Sequence, residues 1–320
     1  MISIDPVVAA TALGAGDLAA LPTETVYGLG GLASSESAIA RIFEVKGRPR
    51  THPVIVHVEG PQDLQHWACE VPASALALAQ EFWPGPLTLV LASADNVPGA
   101  ITGGQPTVAI RAPAHPLFRE VLRLLNDDTS APVGIAAPSA NRFGHVSPTT
   151  ASDVEHELGD RLRPGRDVIL DGGRCVVGVE STIVIWTERG WRIAREGGIT
   201  REQLGRTVEL RDDSPTAIRV PGTIASHYSP RARVLVPESL SEIDVDQVPG
   251  PVGLLALADV PDPMGWVRLA APVSTEEYAR ALFSALRRAD ELALATVVAI
   301  PPTSAGLGAA IRDRLDRAAF

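Results

Sequence analysis

Lysine is almost absent from this chain. Of its 28 basic side chains one, Lys46, is lysine and 27 are arginine. A sequence that has drifted so far toward arginine keeps a lysine where a compact ammonium does what a planar guanidinium cannot, so Lys46 marks a place to look for chemistry. Cysteine is scarce too. Cys69 and Cys175 are the only two, too few for a disulfide framework or a four-cysteine zinc site, and a reducing cytoplasm is the expected compartment. Positive charge is in deficit, with a formal net charge of -10, which argues against a protein that coats nucleic acid or an anionic membrane but leaves room for a local basic cleft. Aromatics make up 4% and are not interleaved with the basic residues, so a platform for stacked bases is not expected. Long apolar runs are also missing. The stretch from Pro6 to Gly16 is short, glycine-broken, ended by Asp17 and without basic residues ahead of it, so neither a secretion signal nor a membrane span is predicted.

What the chain does have is alternation. Over 320 residues of 45% hydrophobic content, short apolar runs take turns with helical patterns, the signature of an α/β protein long enough for one large domain and a small one. Strands are predicted at 17–21, 53–58, 87–91, 107–110, 133–137, 168–170 and 182–186. A helix over 35–45 places Ala38, Ile39, Ile42 and Phe43 on one stripe, and Thr150 with Asp153 forms a capping box that opens a helix over 151–158. The large domain is predicted over 1–206. Residues 207–232 are rich in proline, glycine and aspartate without a sustained period and read as a linker. A second α/β unit over 233–320 runs strand (234–236), helix, strand (252–256), strand, helix (274–292), strand (295–300), helix. It reads as a small open parallel sheet, Rossmann-like in build. No glycine fingerprint follows its strands, so a dinucleotide site there is not expected and it reads as a lid or docking module.

Polar residues with chemical potential gather at strand ends in the first 200 residues. Leu21-Pro22-Thr23-Glu24-Thr25-Val26-Tyr27-Gly28-Leu29-Gly30-Gly31 reads as a strand running into hydroxyls and a glycine-rich turn with free amides, matching neither common phosphate-loop pattern. Lys46, Arg48 and Arg50 crowd three cations into five residues, which repel one another unless an anion such as phosphate lies among them. His57 alternates with Val56 and Val58 in a strand; without acidic company it is not a metal ligand, and a hydrogen-bonded histidine at a sheet edge is the plain alternative. Trp83-Pro84-Gly85-Pro86 is a rigid, structural turn. Arg111 ends a strand that begins near Thr107, where a guanidinium could grip a carboxylate through two parallel bonds. Around Ala137, Ser139, Asn141 and Ser147, small residues admit a ligand close to the backbone and supply neutral hydrogen bonds. Ser181 and Arg195 sit at two further strand boundaries. No nucleophile-base order or pair of isolated carboxylates stands out. A cationic and hydroxylic inventory suits a site that holds a polyphosphate beside a carboxylate and stabilises developing charge.

Taken in order, PTETVYGLG, KGRP, WPGPLT, VAIRAPAHP, APSAN, SPT, DGG, GVESTI and REGG resemble the threonylcarbamoyl-AMP synthases, built on the YrdC-type domain. The resemblance covers about residues 1–205, and Pro221-Gly222 with Ser226-His227-Tyr228-Ser229-Pro230 is similar to the linker of two-domain members. It implies a twisted, open mixed sheet with a smaller second domain, and a nucleotidyltransferase that makes L-threonylcarbamoyl-AMP and pyrophosphate from L-threonine, bicarbonate and ATP. Magnesium would be bound mainly through the ATP phosphates, with no protein metal site. The product would pass to a separate tRNA threonylcarbamoyl transferase complex, and stable direct binding of tRNA is not expected.

Position by position, the resemblance assigns threonine to Thr23, His57, Arg111, Ser181 and the backbone of Ala137. The nucleotide falls to Lys46, Arg50, Thr107, Ser139, Asn141, Ser147, Arg195 and Tyr228, with Lys46 and Arg48 catalytic and the linker a lid. The chain departs from the family pattern at Glu196, where a carboxylate follows Arg195, at His52, and at Thr223-Ile224-Ala225-Ser226, a less basic stretch than usual. Two rival readings are a double-stranded RNA or tRNA binding module, disfavoured by the acidity, and a hydrogenase maturation factor, whose zinc-finger-like cysteines and acylphosphatase-like segment are missing.

Overall fold

The computed structural model describes residues 1–127, 129–211, 218–222 and 228–319. Strands β1 (Ile2–Ser3), β2 (Ala19–Leu21), β3 (Gly28–Leu32), β4 (Ile55–His57), β5 (Leu87–Ala92), β6 (Thr107–Arg111), β7 (Ile135–Ala136), β8 (Val168–Leu170), β9 (Thr182–Thr187) and β10 (Gly190–Arg195) form one sheet. Their order is β1-β8-β2-β3-β7-β4-β6-β5-β9-β10. Parallel pairs such as β4 with β6 alternate with antiparallel ones such as β3 with β7, so the sheet is mixed as expected. A second, all-parallel sheet takes β11 (Arg233–Leu235), β12 (Val252–Leu255), β13 (Val267–Ala270) and β14 (Thr296–Ala299) in the order β11-β14-β12-β13.

Capping chemistry sets the helices that matter for the site. Ser35 accepts a hydrogen bond from the Ala38 amide and opens the helix Glu36–Lys46, which Gly47 closes in the left-handed conformation at φ 64°. The Arg48 amide then bonds back to the Phe43 carbonyl at 2.9 Å, so the chain leaves the helix sharply with Lys46 on its last turn and Arg48 just beyond. Thr150 and Asp153 form the predicted reciprocal box at the start of Ala151–Leu158.

Four elements differ from the sequence reading. Gly28 to Gly31, expected as a turn, belongs to the central strand β3. Close approach explains its glycines: a Cβ on Gly30 would lie 2.8 Å from Ile135 Cγ2 and 3.1 Å from the Ala19 carbonyl. Strands β1 and β10 were not predicted; β1 is two residues long, and the polar and charged residues of β10 suit the sheet's edge. The first helix expected in the small domain is two short 3-10 turns, Leu240–Glu242 and Val245–Gln247, in a stretch too rich in Asp, Ser and Pro to hold a longer one.

The two domains are packed together. An apolar cluster joins Val26, Val146, Val179 and Tyr228 to Tyr278, Leu282, Phe283 and Leu286 of the helix Thr275–Glu291. Gly178, at φ 81°, lets that helix approach; a Cβ there would lie 2.5 Å from Arg280 Cα. Of the linker predicted over 207–232, Leu210 bridges to Trp191 and residues 218–222 run along the large domain. The departure at Thr223-Ile224-Ala225-Ser226, and His227, lie outside the described residues.

Candidate active site

Three neighbouring strands deliver the central side chains. His57 on β4 and Arg111 on β6 are register partners in a parallel pair, and β7 beside β4 leads into Ala137 and Ser139. The Thr23–Val26 turn lies across the strand ends. These residues line one hollow with Thr25, Arg48, Glu180, Ser181, Arg195, Pro221, Gly222 and Tyr228. It spans about 550 Å³ counted out to its open mouth.

Arg111 is 4% exposed and held from three sides: Nε donates to the Gly85 carbonyl at 3.3 Å, Nη1 donates to Thr25 Oγ1 at 2.9 Å, and Nη2 lies 2.7 Å from Glu24 Oε1. The last is an ionic contact without the alignment of a hydrogen bond. Glu24 is itself fixed by the Ala114 amide at 3.0 Å. The proline-glycine turn read as structural is therefore the brace behind Arg111. Two hydrogen bonds and the Glu24 contact hold the guanidinium at the wall of the hollow, with N–H groups beyond those two bonds left for a carboxylate.

Burial, with Arg111 close by, pushes the His57 imidazole down to about 3. It is neutral near pH 7. Its Nδ1 lies 3.3 Å from the Ile135 carbonyl, which can only accept, so Nδ1 carries the proton and Nε2 a lone pair. The alternative of a sheet-edge histidine does not hold, since β4 lies between β7 and β6 and the ring packs 5.2 Å from Phe118. Thr23 lines the hollow, but its Oγ1 donates to the Val26 carbonyl at 2.6 Å and accepts from the Thr25 and Val26 amides, so it builds the turn that presents Thr25.

The cationic cluster divides. Arg48 opens onto the hollow, with Nη2 donating to the Pro53 carbonyl at 2.9 Å; burial and the Arg195 charge bring its guanidinium down to about 10. Lys46, 2% exposed, sits behind the Ser139 wall and donates through Nζ to the Ser139 and Asn141 carbonyls at 2.5 Å each. Burial, reinforced by Arg48, pushes its ammonium well below the usual lysine range. Arg50 is exposed and does not line the hollow. Its assignment to the nucleotide has no support in this geometry, because Pro49 and the turn after it carry the chain outward. Thr107 is likewise apart, at the opposite end of β6 from Arg111 and paired with Ala92.

On the far wall Arg195 donates to the Ser181 carbonyl through Nε and Nη2, to Ser181 Oγ at 3.0 Å, and to the Pro221 carbonyl at 3.0 Å, tying β10 to the linker. Ser181 also shares a 2.8 Å hydrogen bond with Thr88. Asn141 is fully buried; its Nδ2 closes the loop onto the Arg142 and His145 carbonyls, while Oδ1 has no hydrogen-bond partner among the described residues. Ser147 donates to Glu180 Oε1 at 2.7 Å. Glu196 turns away, 3.8 Å from Arg201, so its carboxylate does not burden Arg195. Sequence reasoning assigned nothing to Thr25 or Glu180, although both lie in quoted motifs.

Comparison with known proteins decides what this assembly belongs to. The family described as telomere recombination, comprising Sua5, YciO and YrdC, matches residues 11–197, and the threonylcarbamoyl-AMP synthase C-terminal domain matches 199–320. The chain belongs to the threonylcarbamoyl-AMP synthase family. A threonylcarbamoyl-AMP synthase of Pyrococcus abyssi is 38% identical over 95% of this chain and 90% of its own length, and one of Bacillus subtilis 35% over 97% and 92%. The crystal structure of P. abyssi Sua5 complexed with L-threonine is similar at a TM-score of 0.86 and 35% identity, covering 100% of this chain and 97% of that one. The second family match begins before the linker, so linker and small domain are matched as one unit. Among the described residues no helix is long and apolar enough to cross a membrane.

Proposed function

We propose that this chain joins L-threonine, bicarbonate and ATP into L-threonylcarbamoyl-AMP with release of pyrophosphate, as a nucleotidyltransferase. The observation that carries the reading is the meeting, in one hollow, of a braced arginine, Arg111, with two further cations, Arg48 and Arg195, beside neutral hydroxyls. Arg111 takes the threonine carboxylate, with Thr25, Ser181 and the Ala137 backbone around it. Neutral His57 offers an acceptor to the threonine amine or hydroxyl. The amine combines with bicarbonate to give a carbamate and water. A carbamate oxygen then attacks the α-phosphorus, and the bond from that phosphorus to the bridging oxygen breaks, that oxygen leaving with its electron pair on pyrophosphate. Arg48, Arg195 and the Lys46 ammonium at the Ser139 wall offset the charge that grows on the α-phosphate and leaving group.

The donor set fits magnesium that enters with ATP as part of the substrate. Glu180, the carboxylate that lines the hollow, is already engaged by Ser147 and Arg314, and Glu24, beside Arg111, by Arg111 and the Ala114 amide. Among the described residues no cluster of three or more His, Cys, Asp or Glu side chains could cage a metal ion. The product, a reactive mixed anhydride, is passed to a tRNA threonylcarbamoyl transferase complex. With a net charge of -10 the protein makes no stable tRNA complex of its own.

Pro221, Gly222 and Tyr228, the described linker residues that line the hollow, act as part of a lid that moves to let substrates in. The test is direct. The protein is mixed with threonine, bicarbonate, ATP and magnesium, and the adenylate is sought by mass spectrometry beside pyrophosphate release. Pyrophosphate and adenylate appearing only when all substrates are present support the reading; salt-sensitive RNA binding without ATP turnover would replace it.

A further inference from the structure

The small domain sends one charged side chain into the wall of the hollow. In the helix Leu307–Ala318, Arg314 falls on the stripe of Ile311, Leu315 and Ala318 and is 0% exposed. Its Nε donates to Glu180 Oε2 at 2.8 Å, Nη1 to Asp313 Oδ2 at 2.5 Å and Nη2 to the Glu196 carbonyl at 2.9 Å, while the guanidinium lies 5.5 Å from the centre of the Tyr228 ring. A buried guanidinium paired to a carboxylate seldom adds stability over an apolar pair of the same size. Its retention here asks for another explanation.

Glu180 supplies one. It is 6% exposed, lines the hollow, and holds Ser147 through its other oxygen. A carboxylate in that position repels a triphosphate unless its charge is cancelled from behind. Arg314 stands behind it, and being fully buried it cannot itself reach a ligand in the hollow. We propose that Arg314 is a positioning residue for the nucleotide: it cancels and tethers Glu180, and through Glu180 holds Ser147, so that the phosphate side of the hollow stays cationic only while the small domain is docked. This rests on the ATP reading of the site. It separates the two halves of the hollow, because Arg111 and His57, on the threonine side, share no hydrogen bond or ion pair with Arg314 or Glu180 among the described residues.

Charge accounts for the expected behaviour. Burial favours the protonated Glu180 carboxyl, but Arg314 and then Arg195 outweigh it and hold its pKa below the ordinary value, with Tyr228 the other titratable group facing it and Asp313 on the far side of Arg314. Removing Arg314 leaves burial opposed chiefly by Arg195. Protonation then relieves the repulsion, so the variant's deficit in ATP affinity against the parent shrinks as pH falls.

The experiment measures the dissociation constants of ATP and of threonine by calorimetry on the full chain. Arg314→Met is expected to weaken ATP by about tenfold or more, with threonine within about twofold, and Glu180→Gln added to it is expected to recover most of that loss. Arg314→Lys, which keeps the charge, is expected to stay near the parent. ATP and threonine weakening together, or a double variant that binds ATP no better than Arg314→Met, overturns the proposal. If Arg314→Met does not fold, the double variant decides: near-parental ATP binding supports the proposal, and binding weakened about tenfold or more refutes it. A parent that binds no ATP sinks the reading of the site and this inference with it, whereas a parent that binds ATP with an unchanged Arg314→Met sinks the inference alone.

Discussion

His57 makes a quantitative prediction about acid. The ring is 3% exposed, and its proton affinity is depressed to about 3 from an ordinary 6.5. The folded chain therefore keeps His57 neutral where the unfolded chain protonates it. Its contribution to stability is complete above 6.5 and is lost as pH falls from there toward about 3. Between about pH 7 and about pH 5 the linkage integral for one such group amounts to about 2 kcal/mol. His52 and His115 are shifted the same way by burial, so the parent's total loss exceeds this. The difference between parent and His57→Asn isolates the one ring. Denaturant titrations of both at the two pH values are expected to show the parent losing about 2 kcal/mol more than the variant over that interval. Proton NMR of the His57 ring in the folded parent is expected to show no titration over the same range. Equal losses in the two proteins, or a His57 resonance that titrates near 6.5, would refute the reasoning.

The other predictions are shorter. Lys46→Ala is expected to slow pyrophosphate release by about 10²- to 10³-fold, the usual cost of one electrostatic donor, and an unchanged rate removes Lys46 from the chemistry. Gly30→Ala, whose methyl would meet Ile135 and the Ala19 carbonyl, is expected to cost about 1–3 kcal/mol in thermal or denaturant unfolding, and a neutral effect would show that β3 can shift. Tyr228→Ala, if the linker is a lid, is expected to raise the ratio of pyrophosphate released to adenylate recovered; identical kinetics would count against a lid.

Much of the site was legible because its side chains sit at the ends of apolar strands, where Arg111 and Ser181 stand out against their neighbours. Gly47, which closes the helix in the left-handed conformation and brings Arg48 inward, drew no comment in the sequence reading. What stayed hidden was set by distance in the chain. Glycines forced by neighbours on both faces look in sequence like a turn, so β3 was missed. Thr23 and Arg50 have the right chemistry, but whether a hydroxyl is spent on its own turn, or a guanidinium points outward, depends on packing. Arg314 left one trace, a charge on an apolar stripe, yet its partner Glu180 lies 134 residues away. No local pattern could have joined them.

Tyr228 stacks on Phe283 at 5.5 Å and shares an apolar cluster with the small domain, although it closes the hollow of the large one. A hinge that freed the tyrosine alone would have to expose an aromatic ring to water, while a swing that carried the Thr275–Glu291 helix with it would keep that ring dry and part the cluster at Val26, Val146 and Val179 instead. Under the lid proposed above, door and door-frame are welded on the outer side, so the entrance would open by leverage of a whole domain, and crowding on the outer face of that domain would be felt as slower passage of substrate at a site it never touches.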